Sequence, residues 1–344
     1  MPADDAGELT LLLAHARSAV GASLTERFLR LGAEDFDVRG GPPDGVSFGE
    51  RLRGLVGELE RGSGLVVLGS GSIPLATDDH LRALLATASS GERRALTNNR
   101  YSSDVIAVGD AAILATVPDL ASDNALPHWL EDAGVAVEEL PRRSRLALDL
   151  DSPLDLELLR RHPACPEPLR GLAASVAGHL ARAAGALDEL AALVRNPRAE
   201  LLVAGRLSAA TLRELEERTA CRIRALVEER GLRTAVPGQR PSASALGMLL
   251  DREGPESIGA LVGRLADGAI IDSRVLLAHR HGADEAAWPS AEDRYASDLL
   301  LADRVRDAWL RQLTLHSWSH EMPIALGAHS LVGPGLGLGL GLQP

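Results

Sequence analysis

A chain of 344 residues is longer than one hydrophobic core usually serves, so two domains are expected. A net charge of −12 argues against a general nucleic-acid binder, because phosphate contacts need a basic surface. All 36 basic residues are arginine, which excludes a Schiff-base or phosphate-loop lysine, and aromatics at 3% leave the core to Leu, Ala and Val.

The N-terminus, MPADDAGELT, is acidic and lacks the pattern of a signal peptide. Residues 9–14 form a short apolar run, and 24–31 have helical character. Residues 48–59 space their apolar side chains as a helix does. Leu65-Val66-Val67-Leu68 is a continuous apolar run bounded by glycines, which suits a buried parallel strand. Thr77 predicts the N-cap of a helix over 78–88. Strands are expected at 105–108, 135–140 and 146–150, and a helix at 123–133. This alternation predicts an α/β, Rossmann-like domain with a mostly parallel sheet and helices on both faces.

Three prolines within 161–168 mark a linker, which bounds the first domain at 1–162. A long Ala- and Leu-rich helix is expected over 169–194, ended by Asn196-Pro197. Ser208 caps a helix reaching 219, and 221–227 reads as a strand or as continued helix. Beyond a turn-rich stretch at 236–242 come helices at 243–251 and 257–265 and a short apolar run at 269–271. Ser290 caps one more helix, with Asp293 at its third position. Residues 169–332 are thus expected to form a mainly helical domain of unknown role. Residues 333–344 alternate Gly and Leu and read as a low-complexity, mobile end. No apolar run reaches the length of about 18 residues that a membrane span needs. Cys165 and Cys221 sit in no CxxC or Cys/His spacing, so neither zinc nor a disulfide framework is expected, and a cytoplasmic setting fits.

Three segments occur in a telling order: Ser47-Phe48-Gly49-Glu50-Arg51-Leu52, then LVVLGSGSIPL at 65–75, then LDLDSPLDL at 148–156. Together they resemble the nucleotidyltransferases with a GT-A-like fold, especially the 2-phospho-L-lactate guanylyltransferases and MobA-like transferases. The resemblance implies coupling of a nucleoside triphosphate to a phosphorylated or hydroxylated acceptor, with release of pyrophosphate and with magnesium bridging the phosphates. It maps one metal ligand to Asp151, with Asp149 close by, and a second to Ser72, where the family has an acid. A serine hydroxyl lacks the charge that holds a hard cation. The family's Gly-rich N-terminal loop is also missing; around Leu13 the chain reads LLLAHARSAVGAS. Two expectations follow: an active transferase, or a degenerate, non-catalytic relative that binds a small phosphorylated ligand or serves as a scaffold. A homodimer through the helix at 169–194 is a third.

Several residues carry both a functional and a structural reading. Ser152 can cap a helix that starts at Pro153, with Asp155 closing a capping box. Asn99, Arg100 and Ser103 lie in a polar loop where ligands gather in α/β folds, or form an ordinary Asn-rich turn. Gly71 and Ser72 leave a strand end, either near a ligand or in a tight turn. Asp123 lies near the substrate in the resemblance, or caps a helix. The second half holds further polar groups: Arg222, Arg224, Glu228, Glu229 and Arg230; Asp272-Ser273-Arg274 with His279 and His281; Arg294, Ser297 and Asp298; and His329-Ser330. Surface ion pairs account for most such clusters. Ser330 lacks the G-x-S-x-G spacing of a hydrolase nucleophile.

Overall fold

The computed structural model describes residues 7–39, 45–60, 62–101, 103–120, 122–141, 143–232 and 240–342. By its contacts the chain divides into two units. The first holds residues 17–149, and the second holds 150–342 together with 7–16. Helix α1 (Glu8–Arg30) therefore gives its first half to the second unit and the rest to the first. The apolar run at 9–14 is part of this helix and not an element of its own.

The first unit continues with α2 (Phe48–Glu58), β1 (Leu65–Leu68), α3 (Asp78–Ala88), β2 (Arg94–Thr97), β3 (Val105–Val108), α4 (Leu126–Asp132), β4 (Ala136–Glu139) and α5 (Arg143–Leu146). Its sheet has the order β1-β3-β2-β4. β3 runs antiparallel to both neighbours, and only β2 and β4 pair in parallel. The expected mostly parallel sheet is thus mixed in this unit. β1 is an edge strand of intermediate burial instead of a buried parallel strand. The strand expected at 146–150 does not form: Leu148 and Leu150 are buried, but in extended chain outside the sheet. Alternating burial is shared by strands and by extended segments that only pack, so the pattern misled. Thr77 caps α3 as expected, accepting from the His80 N–H in a capping box. Leu52, Ala95, Ile106, Val108, Leu114, Leu126 and Leu130 form the core of the unit.

The second unit continues with α6 (Pro153–Arg160), α7 (Glu167–Ser175), α8 (Ala177–Leu193), β5 (Glu200–Gly205), α9 (Ala209–Arg218) and β6 (Arg222–Val227). After residues 233–239, which lie outside the described chain, come α10 (Ala245–Glu253), α11 (Ile258–Gly263), β7 (Gly268–Asp272), α12 (Ser273–His281) and α13 (Ala291–Asp298). α14 (Ala308–Trp318), β8 (Ile324–Gly327), α15 (His329–Val332) and α16 (Leu336–Gly339) complete it. The expected long helix is two, broken at Val176.

This half is not mainly helical in the sense expected, because it is built on a sheet of order β6-β5-β7-β8 in which every pair is parallel. β5 and β7 are central, and Leu201, Leu202, Val203, Ala269, Ile270 and Ile271 are buried on both sides. Such strands read as short apolar runs without alternation, which periodicity cannot separate from buried helix. The Gly/Leu tail is also packed: Leu336, Leu338, Leu340 and Leu342 are buried, and α16 lies against α6, α8 and α9. No helix among the described residues is long and apolar enough to cross a membrane.

Candidate functional site

The first-unit candidates follow β1 or lie between β2 and β3, apart from Asp123, which precedes α4. Ser72 is buried and donates its hydroxyl to the Gly69 carbonyl at 2.7 Å. Thr97, Ser103 and Val105 share one bonded knot, in which the Thr97 and Ser103 hydroxyls lie 2.9 Å apart. Asn98 donates to Asp104 Oδ2 and to the Leu146 carbonyl, while its own oxygen accepts from the Asp104 N–H. Asn99 Oδ1 accepts the Tyr101 N–H, closing the turn. Arg100 donates to the Val137 carbonyl and pairs with Glu131 at 2.9 Å. Asp123 opens a short 3-10 turn whose cap position is Ser122. These contacts favour the turn reading over a ligand-lined loop. Backbone strain does remain here: the β-branched Ile73 has φ 47, where such residues are outliers, whereas Gly71 takes φ +89 without strain.

The magnesium implied by the resemblance can be tested on the donor set. Ser72, at the position of the family's acid, brings no charge and has its hydroxyl engaged. Among the described residues no three His, Cys, Asp or Glu side chains gather where they could share an ion. This donor set does not make up the oxygen shell that magnesium takes.

The LDLDSPLDL segment has another job. Ser152 caps α6 and Asp155 closes the capping box, so the structural reading of these residues holds. Asp155 Oδ2 accepts from the N–H groups of Asp151 at 2.8 Å and Ser152 at 2.7 Å, and Oδ1 accepts from the Ser330 hydroxyl. Ser152 Oγ donates to Asp298 Oδ2 at 2.8 Å. Asp298 in turn receives a fork from Arg274 at 2.7 and 2.6 Å, and Arg274 Nη1 also reaches Ser273 Oγ at 2.8 Å. Ser273 Oγ donates to the Gly327 carbonyl. Sequence clusters that stood apart, at 152–155, 272–274, 298 and 330, are therefore one buried network. Burial works against the Arg274 charge, but the Asp298 carboxylate outweighs it and holds the guanidinium pKa above its ordinary value.

All four parallel strands end along this edge. Gly205 lies opposite Val227, and Asp272 opposite Gly327, in the last rungs of the ladder. The next residues are Arg206 after β5, Glu228 after β6, Ser273 after β7 and Ala328 after β8. The chain passes from β5 to β6 on one side and returns through β7 on the other, so it reverses beside β5. Ligands of doubly wound sheets bind outside the carboxyl ends of strands at such a reversal. Arg206 sits there, 7% exposed, and donates Nε to Asp272 Oδ2 at 2.6 Å and Nη2 to Oδ1 at 3.1 Å. Its Nη1 has no protein partner among the described residues. Gly205 permits the fork: its φ is +130, and a Cβ there would lie 2.3 Å from Asp272 Cβ. Glu228 accepts Ser244 Oγ at 2.7 Å and the Ala245 N–H at 2.6 Å, which anchors the start of α10. The crevice beside it, lined by Gly205, Glu228, Ser244, Leu246, Asp272 and Val275, holds no room for a water molecule.

The remaining sequence clusters disperse. Arg222 and Arg224 pair with Glu200 at the opposite end of the strands. His279 bonds Ser244 N–H and Asp251, and Arg294 lies over Trp288. Arg206 was legible only as an arginine after an apolar run; its meaning depended on reading 200–205 as a strand. No protein-family model matches the chain, and no curated protein or solved structure matches it.

Proposed function

We propose that the protein binds a small phosphorylated ligand at the carboxyl edge of the parallel sheet, and that its transferase-like first unit is not catalytic. One observation carries this reading. Arg206 is locked by a bidentate carboxylate, almost wholly buried, and retains a donor nitrogen at the chain reversal. A guanidinium held in this way presents a preorganised edge to a phosphate or carboxylate.

A second reading, nucleotidyl transfer in the first unit, is favoured by the strained backbone at Ile73, directly after Ser72. One experiment separates the two. Thermal melting is followed with inorganic phosphate, pyrophosphate, glycerol 3-phosphate and GTP, and pyrophosphate release is assayed with GTP or CTP and magnesium. The binding reading expects at least one phosphate probe to raise Tm without pyrophosphate release. At one hundred times its Kd, a ligand adds about 2.7 kcal/mol. The rise should shrink in Arg206→Lys, which keeps a cation on Asp272 but loses the fork. No shift with any probe overturns the reading; steady pyrophosphate release establishes the second one.

A further inference from the structure

Among the strands that end the two sheets, β6 stands apart. β1, β4 and β8 have four residues each, and β8 is buried. β6 has six, of which Arg222, Arg224 and Val227 are exposed and Ile223, Ala225 and Leu226 half-buried. Its register with β5 runs unbroken from Arg222 to Val227, with neither a bulge nor a proline to blunt the edge. Among the described residues no strand pairs with its outer side.

The backbone bonds fix what that side presents. The Arg222 N–H donates to the Ala199 carbonyl and the Glu228 N–H to the Gly205 carbonyl, so the even-numbered residues turn their backbone groups to β5. Ile223, Ala225 and Val227 therefore turn their N–H and C=O groups away from β5, a row that templates another strand. Charge selects the partner. The strand opens with Arg222 and Arg224 and is followed by Glu228 and Glu229. A parallel copy would set like charges side by side, which destabilises a pair. An antiparallel copy, centred on Ala225, sets Arg222 opposite Glu228, whose two bonds at α10 leave acceptor sites open. The same register lets Ala225 exchange both backbone bonds with its counterpart and places Ile223 against Val227, an apolar pair. We propose that a second copy of this chain covers the β6 edge, pairing β6 with β6 antiparallel about a two-fold axis at Ala225. The pairing joins two four-stranded sheets into one and uses up both open edges, so it closes at the dimer. It is independent of the phosphate-binding reading.

Sedimentation equilibrium of the full-length protein at micromolar concentration should give a dimer. Ala225→Pro removes an outward N–H and spares the bonds to β5, a change that edge strands tolerate, so it should give a folded monomer. Ala225→Cys should form an interchain disulfide on oxidation, because Cα atoms in a bonded antiparallel pair lie about 5.5 Å apart, within disulfide reach. Arg222→Cys, opposite Glu228, should not cross-link, and the natural Cys165 and Cys221 are buried. The cross-linking comparison decides the matter even if the proline variant folds poorly. A monomeric wild type overturns the inference. So does a dimer that Ala225→Pro leaves intact and Ala225→Cys does not cross-link, since it uses another face. Cross-linking of Arg222→Cys as readily as of Ala225→Cys overturns it as well.

Discussion

Asp155 shows how one side chain can be read correctly and still hold a surprise. Its place in a capping box follows from the spacing of Ser152, Pro153 and Asp155. Its complete burial does not, nor does the Ser330 hydroxyl that meets it from a residue far along the chain. Burial, reinforced by the nearby Asp151 carboxylate, pushes the Asp155 pKa up to about 7, against the pull of its hydrogen bonds. The unfolded value is near 3.8. A pKa raised on folding means that the native state favours the protonated acid. Its stabilisation is complete below about pH 4 and is lost as pH rises through about 7, at about 1.4 kcal/mol per unit. Wild-type Tm should therefore fall between about pH 4 and 7 and level off above that. Asp155→Asn keeps a carbonyl oxygen for the two N–H groups and cannot ionise, so its Tm should stay flat over that range. Parallel profiles for the two proteins would show that another group sets the pH dependence.

At the scale of elements, local signals performed well where the chain itself makes the contact. Thr77, Ser208 and Ser290 each cap the helix expected of them, because a cap is a bond between residues two or three apart. Pairing partners were not legible. Val105–Val108 was readable as a strand, but its antiparallel direction was not, since direction depends on which strands lie beside it. The tail was misread because alternating Gly and Leu has poor helix propensity and no regular amphipathic face. Its leucines are buried only because α6, α8 and α9 cover them. Leu340 is fully buried, so Leu340→Ala should cost about 2–5 kcal/mol. The same change at Leu315, which is 40% exposed, should cost far less. Equal melting temperatures for the two variants in calorimetry would mean that the tail does not contribute to the core.

At the scale of the whole molecule, the second unit is completed by residues from the start of the chain. Glu8 pairs with Arg304 and His179, each at 2.8 Å, and Glu292 accepts from the N–H groups of Leu9 and Thr10. Leu9 and Leu13 are buried. Removing residues 1–16 should lower the melting temperature by several degrees, because each buried leucine contributes roughly 2 kcal/mol. An unchanged calorimetric profile would contradict that account.

Composition, charge and local spacing determined much by themselves. They gave the α/β character, the helix caps, the capping box at 152–155 and the lack of a long apolar span, all of which depend on neighbouring residues or on totals. They also supplied the polar clusters, but as separate groups. Only the tertiary structure decided that the second half is built on a parallel sheet, and that Asp272, Arg274, Asp298, Ser152, Asp155 and Ser330 belong to one network. Parallel strands meet through long crossovers, so the partners of each polar side chain are set by packing and not by spacing. The place of Arg206 at the chain reversal came from strand order, which periodicity does not encode.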